Sequence, residues 1–172
     1  MNNIHQNIIK KYSINKRIFK EILKIINDKF IDTLEISNTL YIYVLKDKYN
    51  FDTIILKIYK KKQIIQFLSQ GIIKNIQFIL SENYPFQSPK SIMINNYNYY
   101  SLIQFKTHHS NNCLCCNSLT CNDNWSPAIT LDKILDEIYI NMNHKLNYSY
   151  NICVDKIKNK YLNKDIPIMD FL

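Results

Sequence analysis

Two short aromatic and proline-containing segments bracket a cysteine-rich stretch, and this arrangement constrains the fold of the 172-residue chain most. The first segment is Tyr-Pro-Phe at residues 84–86, and the second is Trp-Ser-Pro-Ala at residues 125–128. Residues 95–130 show little hydrophobic periodicity, which predicts a long irregular connection. Because long loops inside compact domains are usually functional, we expect the chemistry of the protein to lie between the two segments.

The remainder of the chain predicts an α+β domain. Asn15 is expected to cap an amphipathic helix that runs to Ile26. Alternating β-branched and aromatic residues predict antiparallel strands at residues 39–45, 53–59, 64–67, 72–80 and 91–94. Thr130 is expected to cap a second helix over residues 131–142, and a third helix is predicted over 148–161. A helix, an antiparallel meander and C-terminal helices define a domain over residues 14–172, preceded by an extension over residues 1–13.

Composition excludes several classes of protein. A hydrophobic content of 47% argues against general disorder, and no apolar run is long enough to span a membrane. The net charge of +8 comes from basic residues spread along the chain, so we expect no specific nucleic-acid partner. The abundance of Ile, Asn, Lys and Tyr is typical of an AT-rich genome, such as those of some protists and large DNA viruses.

The cysteines indicate the redox environment. The chain has five, an odd count, and four of them fall within the nine residues 113–121. This pattern is a poor disulfide framework and favours reactive or metal-binding thiols in a reducing compartment. The N-terminal residues lack an apolar signal core. We therefore predict a cytoplasmic location, in the host cell if the chain is viral.

The bracketing segments belong to an ordered set of matches that resembles the ubiquitin-conjugating enzyme family. Residues 84–90 resemble the segment that follows the third strand of that family, and residues 125–131 resemble the segment between its active-site loop and second helix. Residues 15–22 are similar to its first helix, and Gln70-Gly71 to its glycine turn. His109-Ser110-Asn111 stands where the family has His-Pro-Asn.

The resemblance implies an acyl transferase. Such an enzyme accepts ubiquitin, or a ubiquitin-like protein, from an activating enzyme as a cysteine thioester and transfers it to substrate lysines. This reaction needs a thiol that acts as a thiolate and a donor aimed at the developing oxyanion. The resemblance assigns these roles to Cys115 and Asn111, with Asn112 as the alternative donor.

Spacing supports Cys115 among the four clustered cysteines. Cys115 lies ten residues before Trp125, and Leu114 and Leu119 occupy the apolar positions that flank the nucleophile of the family. Cys113 and Cys116 remain alternatives, whereas Cys121 lies too near the tryptophan.

The resemblance also implies partner surfaces and no cofactor. A ubiquitin ligase is expected to contact Phe86, Pro127 and Ala128, and the activating enzyme is expected to contact Lys16, Arg17 and Lys20. ATP is consumed by the activating enzyme, so no nucleotide site is expected in this chain.

A non-catalytic interaction module of the same fold is the alternative hypothesis. Its cysteine loop could hold zinc through Cys113, Cys115, Cys116 and Cys121, with His108 or His109. The spacing of these cysteines differs from the Cys-x-x-Cys pairs of typical zinc sites, so no metal is assigned.

Overall fold

The computed structural model describes residues 15–26, 30–45, 48–59, 62–103 and 117–161. The chain divides into two compact units, Met1–Glu137 and Ile138–Leu172. The described part of the first unit contains an antiparallel sheet of seven strands with helices before and after it in sequence. The predicted α+β class is therefore confirmed.

The helices and strands follow one another in a simple order. The helices are α1 (Lys16–Ile26), α2 (Tyr99–Ile103) and α3 (Leu131–Tyr161). The strands are β1 (Phe30–Ile36), β2 (Thr39–Val44), β3 (Phe51–Tyr59), β4 (Lys62–Ser69), β5 (Asn75–Leu80), β6 (Ser91–Ile94) and β7 (Tyr97–Asn98). Each strand pairs with the next one in sequence, so the sheet is an uninterrupted meander.

Helix α1 begins where the sequence predicts. The side-chain oxygen of Asn15 accepts a hydrogen bond from the backbone N–H of Arg17 at 2.9 Å, and its carbonyl accepts one from Phe19 at 3.1 Å. Asn15 is therefore the N-cap, which satisfies a backbone donor that the helix leaves unpaired. The apolar face of the helix is buried at Ile18, Phe19, Ile22, Ile25 and Ile26.

The core lies on one face of the sheet, as the strand pairing requires. Ile42 pairs with Ile54, and Ile54 pairs with Phe67, so these buried residues share a face. Phe67 continues the row to Ile76, which is also buried. The rings of Phe51, Phe67 and Phe78 are in contact, with centroids 4.9 and 5.9 Å apart. Alternation along β2, β4, β5 and β6 thus follows the period of a strand with one buried face.

Two features of the sheet were not predicted. Strand β1 precedes the first predicted strand, and the hairpin of β6 and β7 leads directly into helix α2. Asn95 and Asn96 connect β6 to β7, with φ angles of 48° and 73°. Positive φ at both central residues is the requirement of a type I′ turn, and asparagine adopts it more readily than most residues.

Helix α3 corrects the prediction of two C-terminal helices. Residues 143–147, which were expected to separate them, continue the helix, giving one element of 31 residues. Apart from Leu146 this stretch is polar, but it contains no proline or glycine, so nothing in it interrupts the backbone hydrogen bonds. No helix in the described ranges combines the length and apolar character that a membrane span requires.

Candidate functional site

The two bracketing segments are in direct contact. The indole Nε1–H of Trp125 donates a hydrogen bond to the backbone carbonyl of Pro85 at 2.9 Å. The rings of Tyr84 and Trp125 lie with their centroids 6.0 Å apart, and the Tyr84–Pro85 peptide bond is cis. Segments that are 40 residues apart in sequence are therefore joined by a polar and an aromatic contact.

A buried carboxylate connects both segments to helix α1. Glu21 is 5% exposed, and its Oε2 accepts hydrogen bonds from the hydroxyl of Tyr84 at 2.8 Å and from the backbone N–H of Leu131 at 3.0 Å. Its Oε1 accepts one from Arg17 Nε at 2.7 Å. Since Leu131 is the first residue of α3, the carboxylate also supplies negative charge at a helix N-terminus.

The tyrosine of this cluster is held in its neutral form. Burial raises the pKa of Tyr84 above its ordinary value, and the negative charge of Glu21 and their shared hydrogen bond raise it further. The hydroxyl therefore remains a donor at physiological pH, which is the state that Glu21 requires.

The start of helix α1 reaches both segments as well. The guanidinium of Arg17 donates to the carbonyls of Pro127 and Ile129. The side-chain amide of Asn15 donates to the carbonyl of Tyr84 at 3.3 Å. The same residues that begin the helix thus fix the backbone on either side of the site.

A second carboxylate, Glu137, accepts hydrogen bonds from residues on both sides of the stretch 104–116, which contains three of the clustered cysteines. On the N-terminal side, Tyr99 in α2 donates its hydroxyl to Oε1 at 2.7 Å. On the C-terminal side, Ser118 donates its hydroxyl to Oε1 at 2.7 Å, and the backbone N–H of Leu119 donates to Oε2 at 2.6 Å. The backbone on each side of residues 104–116 is therefore anchored at one point of α3.

Further hydrogen bonds hold the C-terminal side of the loop. The hydroxyl of Tyr100 donates to the carbonyl of Thr120 at 3.1 Å, and burial raises the pKa of Tyr100. The side-chain amide of Asn124 donates to the carbonyl of Ser118 at 3.1 Å. Ser118 and Thr120 are buried polar residues joined by their hydroxyls at 2.8 Å.

A cleft of about 770 Å³ opens between the bracketing segments. Its lining includes Phe86 and Lys90, Tyr100 from α2, and Cys121 and Trp125. Cys121 is partly exposed and is a free thiol. The cleft thus presents an aromatic surface, a cation and a thiol beside the C-terminal side of the cysteine loop.

The predicted site residues divide into two groups. The predicted nucleophile and oxyanion donor, together with their alternatives, lie outside the described residues; these are Cys115, Asn111, Cys113, Cys116 and Asn112. The predicted partner-binding residues are described, and five of them are exposed, namely Phe86, Pro127, Ala128, Lys16 and Lys20. Phe86 is 79% exposed. Arg17 is partly buried and holds the Pro127 carbonyl, so it has a structural role.

Glu21 and Glu137 were not predicted from sequence. Each lies on the apolar side of a helix: Glu21 is three residues after the buried Ile18, and Glu137 is three residues after the buried Ile134. An acidic residue at such a position needs polar partners when it is buried, as Glu21 is, or half-buried, as Glu137 is, and that rule is the signal that could have identified both.

The metal alternative has no support among the described residues. No group of three or more His, Cys, Asp or Glu side chains in that part of the chain could hold a metal ion. The histidines and three of the cysteines of the predicted zinc set lie outside it.

Comparisons of the chain with protein-family models, curated proteins and solved structures find no match.

Proposed function

We propose that the chain has a ubiquitin-conjugating-enzyme-like fold and accepts ubiquitin, or a ubiquitin-like protein, as a thioester on Cys115. The observation that carries this proposal is the contact between Trp125 and Pro85, which joins the two segments on which the resemblance rests. The order of elements agrees with it: a first helix, an antiparallel meander that contains the proline segment between β5 and β6, a short helix, the cysteine-rich stretch, the tryptophan segment and a long helix.

The proposed chemistry consists of two acyl transfers. The Cys115 thiolate attacks the thioester carbonyl on the activating enzyme, a new S–C bond forms, the S–C bond to the activating enzyme breaks, and the cysteine of that enzyme leaves as a thiolate. The amine of a substrate lysine then attacks the new thioester, an amide bond forms, the Cys115 thiolate leaves, and the amine loses a proton. The amide of Asn111 donates a hydrogen bond to the oxyanion in the second step.

Anchoring of the loop backbone favours this chemistry. Catalysis by positioning requires the nucleophile and the oxyanion donor to be held in a fixed relation. Glu137 binds residues on both sides of the loop, and Glu21 fixes the two bracketing segments. A reducing cytoplasmic compartment keeps the thiols free for the reaction.

Exposed groups around the site are suited to protein partners. The Phe86 side chain and the residues Pro127 and Ala128 are open to solvent, as docking to a ligase requires. Lys16 and Lys20 are exposed on α1, where they can meet an acidic surface of the activating enzyme.

A loading assay tests the proposal. The purified chain is incubated with an activating enzyme, ATP and ubiquitin, and the products are separated without reducing agent. We expect a covalent adduct that a thiol reagent removes. In the Cys115→Ser variant this thiol-sensitive adduct is lost, because a hydroxyl can form only an oxygen ester.

Two cysteines of the described part provide matched controls. Cys121→Ser changes the thiol in the cleft, and Cys153→Ser changes an exposed thiol on α3; both variants should load like the unmodified chain. Loss of loading in Cys113→Ser or Cys116→Ser alone would reassign the nucleophile. Absence of any adduct with ubiquitin and with ubiquitin-like proteins would favour the non-catalytic module, and bound zinc in elemental analysis would favour its metal-binding form.

A further inference from the structure

The Glu137 carboxylate brings the two ends of the stretch 104–116 to one point. Tyr99 precedes the stretch and Ser118 follows it, and both hydroxyls lie 2.7 Å from the same oxygen, Oε1. The backbone N–H of Leu119 lies 2.6 Å from Oε2. Within the described part of the chain, these three donors all belong to the flanks of the stretch. An extended chain of this length reaches about 45 Å, so the covalent chain does not by itself bring the ends together.

Further contacts join the two ends into one unit. Tyr100 donates its hydroxyl to the carbonyl of Thr120 at 3.1 Å. Ser118 and Thr120 are joined by their hydroxyls at 2.8 Å, and both are almost fully buried. Glu137 projects from the beginning of α3, where Ile134 is fully buried. The ends are therefore held against a helix whose own position is fixed by packing.

The residues that the proposed reaction needs lie between these ends. Cys115 and Asn111 both belong to the stretch 104–116. Transfer depends on how closely the reacting groups are placed, and an error of about 1 Å can lower the rate about a hundredfold. We propose that Glu137 is a positioning residue for the transfer step. By fixing both ends of the stretch, it keeps the thioester on Cys115 and the amide of Asn111 in the relation that transfer requires. This inference rests on the proposed function.

The length of the side chain separates positioning from an effect of charge. Glutamine is as long as glutamate, and with its oxygen in the place of Oε1 it still accepts from Tyr99 on one side and Ser118 on the other. Aspartate keeps the negative charge but is shorter by one methylene group, so it falls short of the donors. Glu137→Gln should therefore retain transfer, and Glu137→Asp should lose it. A residue that acted through its charge would give the opposite order.

Discharge of the thioester to free lysine tests this order. The chain is loaded with ubiquitin, ATP is removed, and the amine of lysine then replaces the Cys115 thiolate at the thioester carbonyl. We expect Glu137→Ala and Glu137→Asp to lower the maximal discharge rate about tenfold at an unchanged half-saturating lysine concentration. Glu137→Gln should lower it less than about twofold. Discharge by Glu137→Ala at the unmodified rate would overturn the proposal, as would discharge that Asp retains and Gln loses.

Asn95→Ala controls for a loss of stability. The Asn95 side chain binds backbone groups at residues 72, 74 and 75, so its removal should destabilise the fold and leave the discharge rate unchanged. Equal slowing in Asn95→Ala and Glu137→Ala would assign the effect to stability and would refute a positioning role. If Glu137→Ala shows no cooperative unfolding in urea, Tyr99→Phe takes its place. That variant removes one donor and should slow discharge about threefold.

Alkylation of Cys115 keeps the inference testable if the chain does not load. In a chain with serine at the other four cysteines, iodoacetamide reports on Cys115 alone. Absence of loading would refute the proposed function, whereas anchoring still predicts an alkylation rate in the folded chain that differs from the rate in urea. Glu137→Ala should bring the folded rate to within about twofold of the rate in urea, and Glu137→Gln should leave it unchanged. The same rate in the unmodified chain and in Glu137→Ala would contradict anchoring by Glu137.

Discussion

Replacing Glu21 by Gln gives the sharpest test of how the bracketing segments are held together. The carboxylate accepts three hydrogen bonds, from Arg17, Tyr84 and Leu131. A glutamine has one oxygen and one NH₂ group, so whichever way the amide turns, its NH₂ meets at least one donor in place of an acceptor. The donor left unpaired is then either the half-buried Arg17 or the buried donors Tyr84 and Leu131, which costs about 1–3 kcal/mol.

One additional loss accompanies this substitution. The negative charge at the N-terminus of α3 disappears, which is worth about 0.3–1 kcal/mol. We therefore expect Glu21→Gln to lower the free energy of unfolding by about 2–3 kcal/mol. Glu21→Ala leaves all three donors without this acceptor, and we expect it to lower the free energy of unfolding by about 3–6 kcal/mol. Since a domain of this kind is stable by about 5–15 kcal/mol, the alanine variant lies near the limit of folding, and the glutamine variant is the one to measure.

The assay is urea unfolding followed by tryptophan fluorescence. Trp125 is the sole tryptophan of the chain and lies beside Tyr84, so its emission reports on this site. A shift of the midpoint at constant slope measures the loss of stability. Glu82→Gln removes a carboxylate that is exposed and serves as the matched control, with an expected change within about 0.5 kcal/mol.

A double-mutant cycle isolates the central hydrogen bond. Tyr84→Phe removes one donor and leaves Glu21 its other two, at an expected cost of about 1–2 kcal/mol. If the two side chains interact as the structure indicates, the double variant should deviate from additivity by about 0.5–3 kcal/mol. Additive effects, or a cost for Glu21→Gln no larger than that of Glu82→Gln, would refute the reasoning.

Three further predictions concern stability and use the same assay. Gly71→Ala should raise the free energy of unfolding by about 0.4–1 kcal/mol, because an added Cβ meets only the Ser69 hydroxyl at 3.8 Å; a loss would show that glycine is needed. Asn95→Ala should lower it by about 1–3 kcal/mol, since the side chain accepts from two backbone N–H groups and donates to a carbonyl; an unchanged midpoint would contradict this. Burial alone would raise the pKa of Asp132, but its hydrogen bond and charge pairing with Lys24 hold that pKa below the ordinary 3.8. The ion pair therefore stabilises the fold above pH 3.8, and this contribution is lost as the pH falls through the lowered pKa. Asp132→Asn should lower the free energy of unfolding by about 0.5–1 kcal/mol at neutral pH and by almost nothing in strong acid. A loss of stability that is independent of pH would count against the ion pair.

Elements that bury one face were predictable from the sequence. Asn15 and the apolar spacing after it predict α1, and alternation predicts β2 through β6 to within a few residues. Strand β1 lacks such a signal because residues 32–36 are exposed on both faces, so pairing with β2 rather than burial holds it in place. The sequence of β1 therefore lacks the alternation of buried apolar and exposed polar residues that predicts a strand.

The polar connections of the site could not be predicted in the same way. The hydrogen bond from Leu131 to Glu21 joins residues 110 positions apart, and a one-dimensional pattern contains no information on that pairing. The asparagine pair at residues 95 and 96 was a readable signal for the hairpin of β6 and β7, because positive φ favours asparagine in a chain with one glycine. The continuation of α3 through residues 143–147 could also have been predicted, since polar residues alone do not end a helix.

The five matches that suggest the family do not carry equal weight once the contacts are known. Residues 15–22, 84–90 and 125–131 meet through hydrogen bonds, and Glu21 or Arg17 takes part in most of them. Gly71 lies in a bend without positive φ, so a side chain could replace its hydrogen, and the match at that position has no steric basis. The match at residues 109–111 lies outside the described part. The proposed fold thus depends on three segments that form one connected cluster, whereas the proposed chemistry depends on the loop between them. For this reason the stability of the Glu21 variants and the loading of the Cys115 variant are independent tests, and either can fail without the other.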